Sequence, residues 1–335
     1  MGNSEELDRQ LASLKKTLEA STELAAYHAP GPHKRPVQLP MWPEPVRGGP
    51  NVVLRSALFA AIHSKKRRKL GIQTSPEKEP DGVTIAAQDG ITIKYAGTQL
   101  NQYDADVFFE ALHLARHHPL ETECVFRGSP FLQAIGRSDA KLNYEDLDDS
   151  LKRLRNGTTE IEWQINGRHY IFTGSLISSY VREKTSKLYK VTFAKEIRTL
   201  FAPACWTQLE WDERMALKGH PLAQWLHSYF STHAAPFPVS PAFLHQKTAS
   251  PTKKLKHFRT ELKNALKTLN ENLGWEALWS GDLLTVRRSP SASQARHLAR
   301  NAETLKKRQT KPKNKALVPI SDLLSGFLGS SKTHI

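Results

Sequence analysis

The chain has 335 residues, and its 48 lysines and arginines outnumber its 33 aspartates and glutamates, for a formal net charge of +15. Its hydrophobic content of 39% is enough for packed cores, but no apolar run approaches the roughly 20 residues that span a bilayer. No secretory signal is visible, and the two distant cysteines form no Cys-x-x-Cys motif. We therefore expect a cytoplasmic protein of about two domains, without a membrane segment, whose partner is a polyanion.

The first 50 residues are predicted to be a helix followed by a linker. Residues 5–26 carry leucines at alternating spacings of four and three, which is compatible with a short coiled coil or with an amphipathic helix resting on the body. Residues 28–50 are rich in Pro and Gly, so we expect a flexible, extended segment.

A run of five basic residues, "KKRRK", occupies positions 65–69. Most runs of this kind are solvated and mobile, and a minority contact nucleic acid. Both interpretations stay open for this run.

From residue 91 onward the pattern predicts a first domain, over residues 51–200. "ITIKYAG" alternates like a strand, "QYDADVFFEALHLARHHP" is helical, and "CVFRG" is a short strand. A short helix "SPFLQAI" and a longer helix "NYEDLDDSLKRLRNG" follow, and then a hairpin turns at Asn166-Gly167. Helix, strand, helix, helix and hairpin is the order of a winged helix.

The same order recurs in residues 201–288. "HPLAQWLHSYFSTH" is a helix, "PFPVS" is extended, "SPAFLHQ" is a short helix, and a long third helix precedes a hairpin that turns at Ser280-Gly281. Residues 289–335 are polar, basic and rich in Ser, so we expect disorder there. The predicted fold is therefore α+β, with tandem winged-helix domains, a flexible N-terminal linker and a disordered basic C-terminal tail.

The third helix of the second domain is the predicted DNA reader. Leucines and Phe258 form one stripe, while lysines cluster on the opposite flank with a single acid, Glu261, in the helix centre. Ser250 is the expected N-cap and Pro251 the first helical residue. The predicted base-reading residues are Thr252, Lys253, Lys256 and His257. Those expected at phosphates or on the same surface are Lys254, Arg259, Thr260 and Lys263, with Arg287 and Arg288 at the end of the hairpin.

The corresponding helix of the first domain has an acidic centre, so we expect it to contribute less to DNA binding and to contact another protein as well. Its candidate DNA contacts lie near the helix start and at the hairpin tip: Arg137, Lys141, Asn143, Arg168 and His169.

Signals for enzymatic chemistry are weak. His113 and His117 have a chelating spacing but lack the Glu of His-Glu-x-x-His, and "GFLGSSKT" near the C-terminus has Ser331 where a phosphate loop needs Gly. We expect no catalytic residues, no metal site and no cofactor.

Five segments together resemble the TrfA family of plasmid replication initiators: "RSALFAAI", "ITIKYAGTQL", "SLKRLRNGTTEIEW", "WLHSYFSTH" and "SGDLLTVRR", in the same order over about Trp42 to Arg288. The resemblance implies a bacterial, plasmid-associated protein whose tandem winged helices bind directly repeated iterons, with a recognition helix over 252–268. It also implies opening of an AT-rich segment and recruitment of the host initiator DnaA and the replicative helicase. Iteron binding as a monomer, with dimers serving copy-number control, is implied as well.

Family members also carry a Gln-Leu-x-Leu-Phe peptide for the replicative sliding clamp. The candidate here is Gln38, Leu39, Met41 and Trp42, which departs from that pattern in its last two apolar residues. An unfolded linker would suit such a peptide because it can order on binding. The alternative is that Trp42 packs on the domain surface.

Three hypotheses follow. The leading one is an iteron-binding replication initiator, the second is a winged-helix transcriptional regulator that binds an operator, and the third is a nicking enzyme. Direct repeats, an inverted repeat, or metal-dependent nicking of supercoiled plasmid would distinguish them.

Overall fold

A computed structural model of the chain describes residues 36–71, 83–85, 87, 90–165, 167–202 and 205–309. The predicted N-terminal helix over residues 5–26, residues 28–35 of the predicted linker, the turn residue Asn166 and the end of the predicted tail lie outside these residues. The described part mixes helices and strands, as the α+β prediction requires. No helix in it is long and apolar enough to cross a membrane.

Along the described chain the helices are α1 (Asn51–Leu54), α2 (Gln102–Ala115), α3 (Gly128–Ala134), α4 (Lys141–Asn156), α5 (Trp211–Ala216), α6 (Pro221–Ser231), α7 (Pro241–Lys247), α8 (Leu255–Leu273) and α9 (Ala292–Gln309). The strands are β1 (Val46–Pro50), β2 (Phe59–Ala60), β3 (Lys69–Leu70), β4 (Val83–Ile85), β5 (Ile91–Thr98), β6 (Leu100–Asn101), β7 (Cys124–Arg127), β8 (Thr158–Ile165), β9 (Arg168–Gly174), β10 (Ser179–Glu183), β11 (Leu188–Thr192), β12 (Trp206–Glu210), β13 (Glu276–Ser280) and β14 (Leu283–Arg287). Short 3-10 helices occur at Ser64–Lys66 and Lys195–Phe201.

The first unit is built around α2. Asn101 caps this helix: its side-chain oxygen accepts the N–H groups of Tyr103 and Asp104, and the Asp104 carboxylate accepts the N–H of Asn101 at 3.0 Å. This reciprocal capping box satisfies backbone donors that the helix itself leaves free. Helix α2 is buried along almost its whole length, which places it in the core beneath α4 and β1.

Two antiparallel sheets belong to the same unit. In one, β5 pairs with β8 and β8 pairs with β9, so that Ile93, Ile161 and Phe172 stand side by side facing the core. In the other, β11 lies between β10 and β7. The first sheet contains the predicted hairpin, whereas the β10–β11 hairpin was not predicted.

The second unit contains the predicted series α6, α7, α8 and the hairpin β13–β14. Leucines of α8 pack with Trp225, Leu244 and Leu284, and Gly274 ends the helix with a positive φ of 67°. The predicted start of this helix is wrong. The Ser250 hydroxyl accepts the N–H of Thr252 at 3.2 Å and Ala249 has a φ of 48°, so residues 249–254 form a turn and the helix begins at Leu255.

Residues 36–50 are not the flexible linker that their Pro and Gly content predicted. Strand β1 pairs with β12 over its whole length, and Trp42 is buried, stacked 5.8 Å from Phe201. Arg47 donates to Glu110 at 2.6 Å within the core. The segment is therefore an integral part of the first unit.

The predicted disorder after Arg288 is also wrong for residues 292–309, which form α9. The N-terminus of α9 is capped reciprocally, because the Ser291 hydroxyl accepts the N–H of Gln294 and the Gln294 side-chain oxygen accepts the N–H of Ser291. Capping of this kind stabilises the first turn of a helix.

A buried ionic cluster joins the two units. The Arg214 guanidinium on α5 donates to Asp106 on α2 at 2.6 Å and to the Ser228 hydroxyl on α6 at 2.7 Å. Both Arg214 and Asp106 are buried, so their charges are compensated by each other and not by water. The second core begins at Leu217 and also takes in Ala61, which fixes α8 relative to the first unit.

Candidate nucleic-acid interface

One face of α8 is basic and exposed. Phe258, Leu262 and Leu269 are buried on one side of the helix. At 100° per residue, Lys256, Thr260 and Lys263 fall on the opposite side, and all three are exposed. Lys267 shares this face and pairs with Glu271 at 3.6 Å. A helix face of this kind presents ammonium groups to solvent with little internal compensation.

The turn that precedes α8 carries two further exposed lysines, Lys253 and Lys254. Thr252, in contrast, is occupied: its hydroxyl donates to Glu261 at 2.5 Å, and its carbonyl lies 2.5 Å from the ring Nε2 of His245. His257 is exposed on the first turn of the helix. Of the four predicted base readers, three are therefore available and Thr252 holds the turn in place.

Arg259 connects the helix to the hairpin. Its guanidinium forms a two-pronged ion pair with the Asp282 carboxylate at the β13–β14 turn. This pairing holds the pKa of Asp282 below its usual range. The role predicted for Arg259 at a phosphate thus competes with an ion pair that orients the hairpin.

The two arginines that end the hairpin differ. Arg287 is exposed and lies 3.3 Å from Glu276 on the paired strand. Arg288 points inward: its guanidinium donates to the His233 carbonyl and to the Gln294 side chain, and it lies over the Trp275 ring at 5.4 Å. Burial lowers the pKa of Arg288. Arg288 is therefore a structural residue that ties the hairpin to α6 and α9.

A groove of about 450 Å³ separates α8 from β13. Lys263, Lys267 and Asn270 line one side, and Leu278 and Trp279 line the other. Trp279 is 42% exposed, which is unusual for tryptophan, and it was missing from the predicted site. A tryptophan next to the turn of a two-stranded hairpin has little chain to cover it, and that signal could have identified it.

The candidates in the first unit make contacts within that unit. Arg137 lies over the Tyr103 ring at 4.8 Å, Lys141 pairs with Glu145 at 3.8 Å, and Asn143 donates to the Ser138 carbonyl at 2.9 Å. At the hairpin turn Arg168 is exposed, and His169 lies 3.5 Å from Glu162. Lys141, Arg168 and His169 are the exposed members of the five.

The four candidate clamp-binding residues belong to the folded body. Gln38 donates to the Arg116 carbonyl at 2.8 Å, and Leu39 and Trp42 are buried. Met41, 56% exposed, is the accessible member. A clamp could bind Leu39 and Trp42 only after pulling them out of the core, so the premise of an unfolded peptide does not hold.

His113 on α2, whose spacing from His117 could suit a metal, instead packs beside Trp42. The Trp42 indole N–H donates to His113 Nδ1 at 3.0 Å, which leaves the Nε2 proton for Glu44, also at 3.0 Å. Burial, with the nearby charges of Arg47 and Arg116, lowers the pKa of His113 to about 4. In the described part of the chain no group of three or more His, Cys, Asp or Glu side chains could hold a metal ion.

Comparison with known proteins places this arrangement in a family. The model of the TrfA protein family matches residues 35–288, well over half of the chain. The plasmid replication initiator protein TrfA of Escherichia coli is 25% identical over 245 residues, or 72% of this chain and 61% of its own length. The chain thus spans about three-fifths of that relative.

Two crystal structures of domains 2 and 3 of RctB are similar in fold. They have TM-scores of 0.46 and 0.45 at 13% and 12% identity, covering 71% and 73% of this chain and 97% and 99% of theirs.

The family model spans both structural units, from the β1 segment to the end of the β13–β14 hairpin. The chain therefore belongs to the TrfA family of plasmid replication initiator proteins.

Proposed function

We propose that this protein binds directly repeated sequences at a plasmid origin and thereby starts replication. The observation that carries the proposal is the exposed lysine surface formed by α8, the helix before the β13–β14 hairpin, and the turn that leads into it. Three of its predicted contact residues, Lys253, Lys254 and Lys256, have no carboxylate partner among the described residues. Membership in a family of replication initiators supports the same function.

In the proposed complex the second unit acts as a winged helix. Helix α8 enters the major groove with its N-terminal end toward the base edges, as recognition helices of this class do. Lys253, Lys256 and His257 would contact base edges, because lysine donates to guanine acceptors. Lys254 and Lys263 would bind phosphates and set the register. The Arg259–Asp282 pair holds the hairpin beside the same stretch of duplex.

The later steps belong to the same proposal. Bound protein would help to open an AT-rich segment and would recruit DnaA and the replicative helicase, with monomers as the binding form and dimers limiting copy number. The protein would do this without catalysis of its own. Incubating supercoiled origin plasmid with the protein and Mg²⁺ should leave the plasmid intact; site-specific nicking would contradict this part.

The central test is a selection of binding sites from a random duplex library, followed by a search for them in the replicon that encodes the chain. We expect a direct repeat, and an inverted repeat would instead favour a transcriptional regulator. With about six phosphate contacts, log K should fall with log salt at a slope near −5.

Lys253→Ala combined with Lys256→Ala tests the reading surface. The double variant should lose at least about 30-fold of its preference for the repeat over an unrelated duplex, because two base contacts at about 1–3 kcal/mol each sum to at least about 2 kcal/mol. Lys184→Ala combined with Lys195→Ala removes the same charge from exposed positions of the first unit. An equal loss of preference in both variants would refute the assignment.

A further inference from the structure

The basic run Lys65–Lys69, called here the basic turn, is an ordered surface feature of the first unit. Four of its side chains, Lys65, Lys66, Arg68 and Lys69, are exposed. The fifth, Arg67, points inward. Five successive cations would ordinarily repel one another and remain mobile, so the fixed conformation of this segment requires a cause.

Arg67 is that cause. Its guanidinium donates to the Asn101 side chain at 2.7 Å and to the Asp104 carboxylate at 3.0 Å. Asp104 is completely buried and also accepts from Arg153 at 2.8 Å and from the Ser150 hydroxyl at 2.7 Å. Removing one partner from such a buried cluster is costly, so Arg67 is firmly held.

The backbone on both sides of Arg67 is held as well. Ser64–Lys66 forms one turn of 3-10 helix. The Arg68 carbonyl accepts the N–H of Gln99 at 2.8 Å, and Lys69 pairs with Thr98 on β5. The exposed cations are therefore displayed on a fixed scaffold.

The basic turn lies beside the segment that leads into α8. The Ala61 N–H donates to the Thr248 carbonyl at 2.9 Å, and the Lys247 ammonium group donates to the Ala87 carbonyl. Lys65 lies four residues beyond Ala61, and Ser250 lies two residues beyond Thr248. From the reach of an extended chain, the Cα atoms of Lys65 and Ser250 are at most about 27 Å apart. That is less than one turn of duplex DNA, about 34 Å.

The four exposed cations are not neutralised within the protein. Among the described residues, Arg67 is the member of the basic turn that forms an ion pair. In the same part of the chain no carboxylate lies within ion-pair distance of Lys65, Lys66, Arg68 or Lys69. A concentration of free positive charge of this kind is relieved by a polyanion, which exchanges its condensed counterions for the side chains.

We propose that Lys65, Lys66, Arg68 and Lys69 bind backbone phosphates of the duplex next to the stretch that α8 reads. This inference rests on the proposed function and extends the DNA-binding surface into the first unit. Because the scaffold is already ordered, little conformational entropy is lost on binding. Phosphate contacts add affinity and register without sequence preference.

The test replaces all four residues by glutamine (Lys65→Gln, Lys66→Gln, Arg68→Gln, Lys69→Gln) and leaves Arg67 in place. The matched control removes four charges elsewhere in the first unit (Lys184→Gln, Lys187→Gln, Lys190→Gln, Lys195→Gln). Affinity for the selected repeat and for a scrambled duplex is measured by fluorescence anisotropy across a NaCl series. Urea unfolding of each variant confirms that it is folded.

We expect the slope of log K against log salt to flatten by about 2–3.5 in the basic-turn variant, since each lost phosphate contact removes about 0.9. Its preference for the repeat over the scrambled duplex should change by less than about 2-fold, and the control slope by less than about 1. If the fourfold variant does not fold, Lys65→Gln with Lys66→Gln should give about half the change in slope.

Equal slopes in the basic-turn variant and the wild type would overturn the inference while leaving the proposed function intact. A collapse of sequence preference at an unchanged slope would also overturn it, because the residues would then contact bases. Failure of the wild-type chain to prefer any repeat would contradict the proposed function itself.

Discussion

Helices α4 and α8 occupy corresponding places in the two units, each before a β-hairpin, yet they use their charges in opposite ways. On α4 the central acid Asp148 is committed to the fold: it pairs with Arg182 and accepts the Tyr189 hydroxyl at 2.9 Å. On α8 the basic residues face solvent, and Lys256 and Lys263 have no partner of opposite charge among the described residues.

Position before a hairpin is common to both helices, so it does not by itself support the proposal that α8 reads DNA. What distinguishes α8 is charge that the fold leaves uncompensated. On α4 two of the basic residues near the helix end are also engaged, since Arg153 binds the buried Asp104 and Lys152 lies 3.2 Å from Asp149. These charges of α4 therefore form contacts within the first unit, where they stabilise the fold.

Reversing charge on the two helices should have the largest effect. Lys256→Glu combined with Lys263→Glu should weaken binding of the selected repeat by at least about 100-fold, since each change removes a contact and adds repulsion toward phosphates. The same reversal at Lys152 and Arg155, exposed on α4, should weaken it by less than about 5-fold. Anisotropy titrations at one fixed salt concentration measure both, and comparable losses would break the contrast between the helices.

The internal role of the α4 carboxylates predicts a change in stability without a change in binding. Asp148→Ala should lower the free energy of unfolding by about 2 kcal/mol, because Arg182 and Tyr189 lose a largely buried acceptor. Asp149→Ala, which removes an exposed carboxylate, should stay within about 0.5 kcal/mol. Urea unfolding gives both values. A loss of DNA affinity in folded Asp148→Ala would show that α4 contributes to the interface after all.

We expect both units to lose stability at acidic pH for the same reason. Burial lowers the pKa of His113 in the first unit and of His233 in the second, each to about 4. The unfolded chain, with histidine pKa values near 6.5, binds these protons first. Stability from both residues is therefore complete above about pH 6.5 and is lost as the pH falls toward 4.

Replacing either histidine by glutamine should reduce the dependence of unfolding free energy on pH across that window, by up to about 1.4 kcal/mol per pH unit. Urea unfolding at a series of pH values measures the slope. An unchanged slope in both variants would mean that folding lowers the pKa of neither histidine.

The smallest effect concerns the ion pair between α8 and its hairpin. Asp282→Ala frees Arg259 and removes a negative charge beside the proposed DNA surface, so affinity for duplex should rise a few-fold at low salt. Asp212→Ala, on α5, is the control with the same change in charge. Weaker binding in Asp282→Ala would show instead that the orientation of the hairpin matters more than the free guanidinium.

Much of the helical framework could be predicted because it follows from a period of 3.6 residues. The buried stripe of α8 is an example, with Phe258, Leu262 and Leu269 in place. The start of α8 could not be predicted in this way, because Ser250 closes a local turn instead of capping the helix. The β10–β11 hairpin was missed because its turn contains no glycine, and Lys187 takes a positive φ of 52° in its place.

The candidate site was harder to predict because an arginine in a sequence does not reveal its partner. Arg259 pairs with Asp282, 23 residues away, and Arg288 donates to the carbonyls of Phe230 and Ser231 at the end of α6. Trp42 and Leu39 were assigned to a linker because isolated apolar residues among prolines show no period. Their burial depends on contacts with residues far along the chain, such as Phe201.

The pairing of β1 with β12 has a consequence for where this protein can be cut. Residues 46–50 cover one edge of β12, the strand that leads into the second unit. A shortened chain that began after Pro50 would expose that edge, together with the space that Trp42 fills, and bare strand edges promote association between molecules. Proteolysis or truncation that is intended to isolate the folded body should therefore cut the chain on the N-terminal side of Gln38.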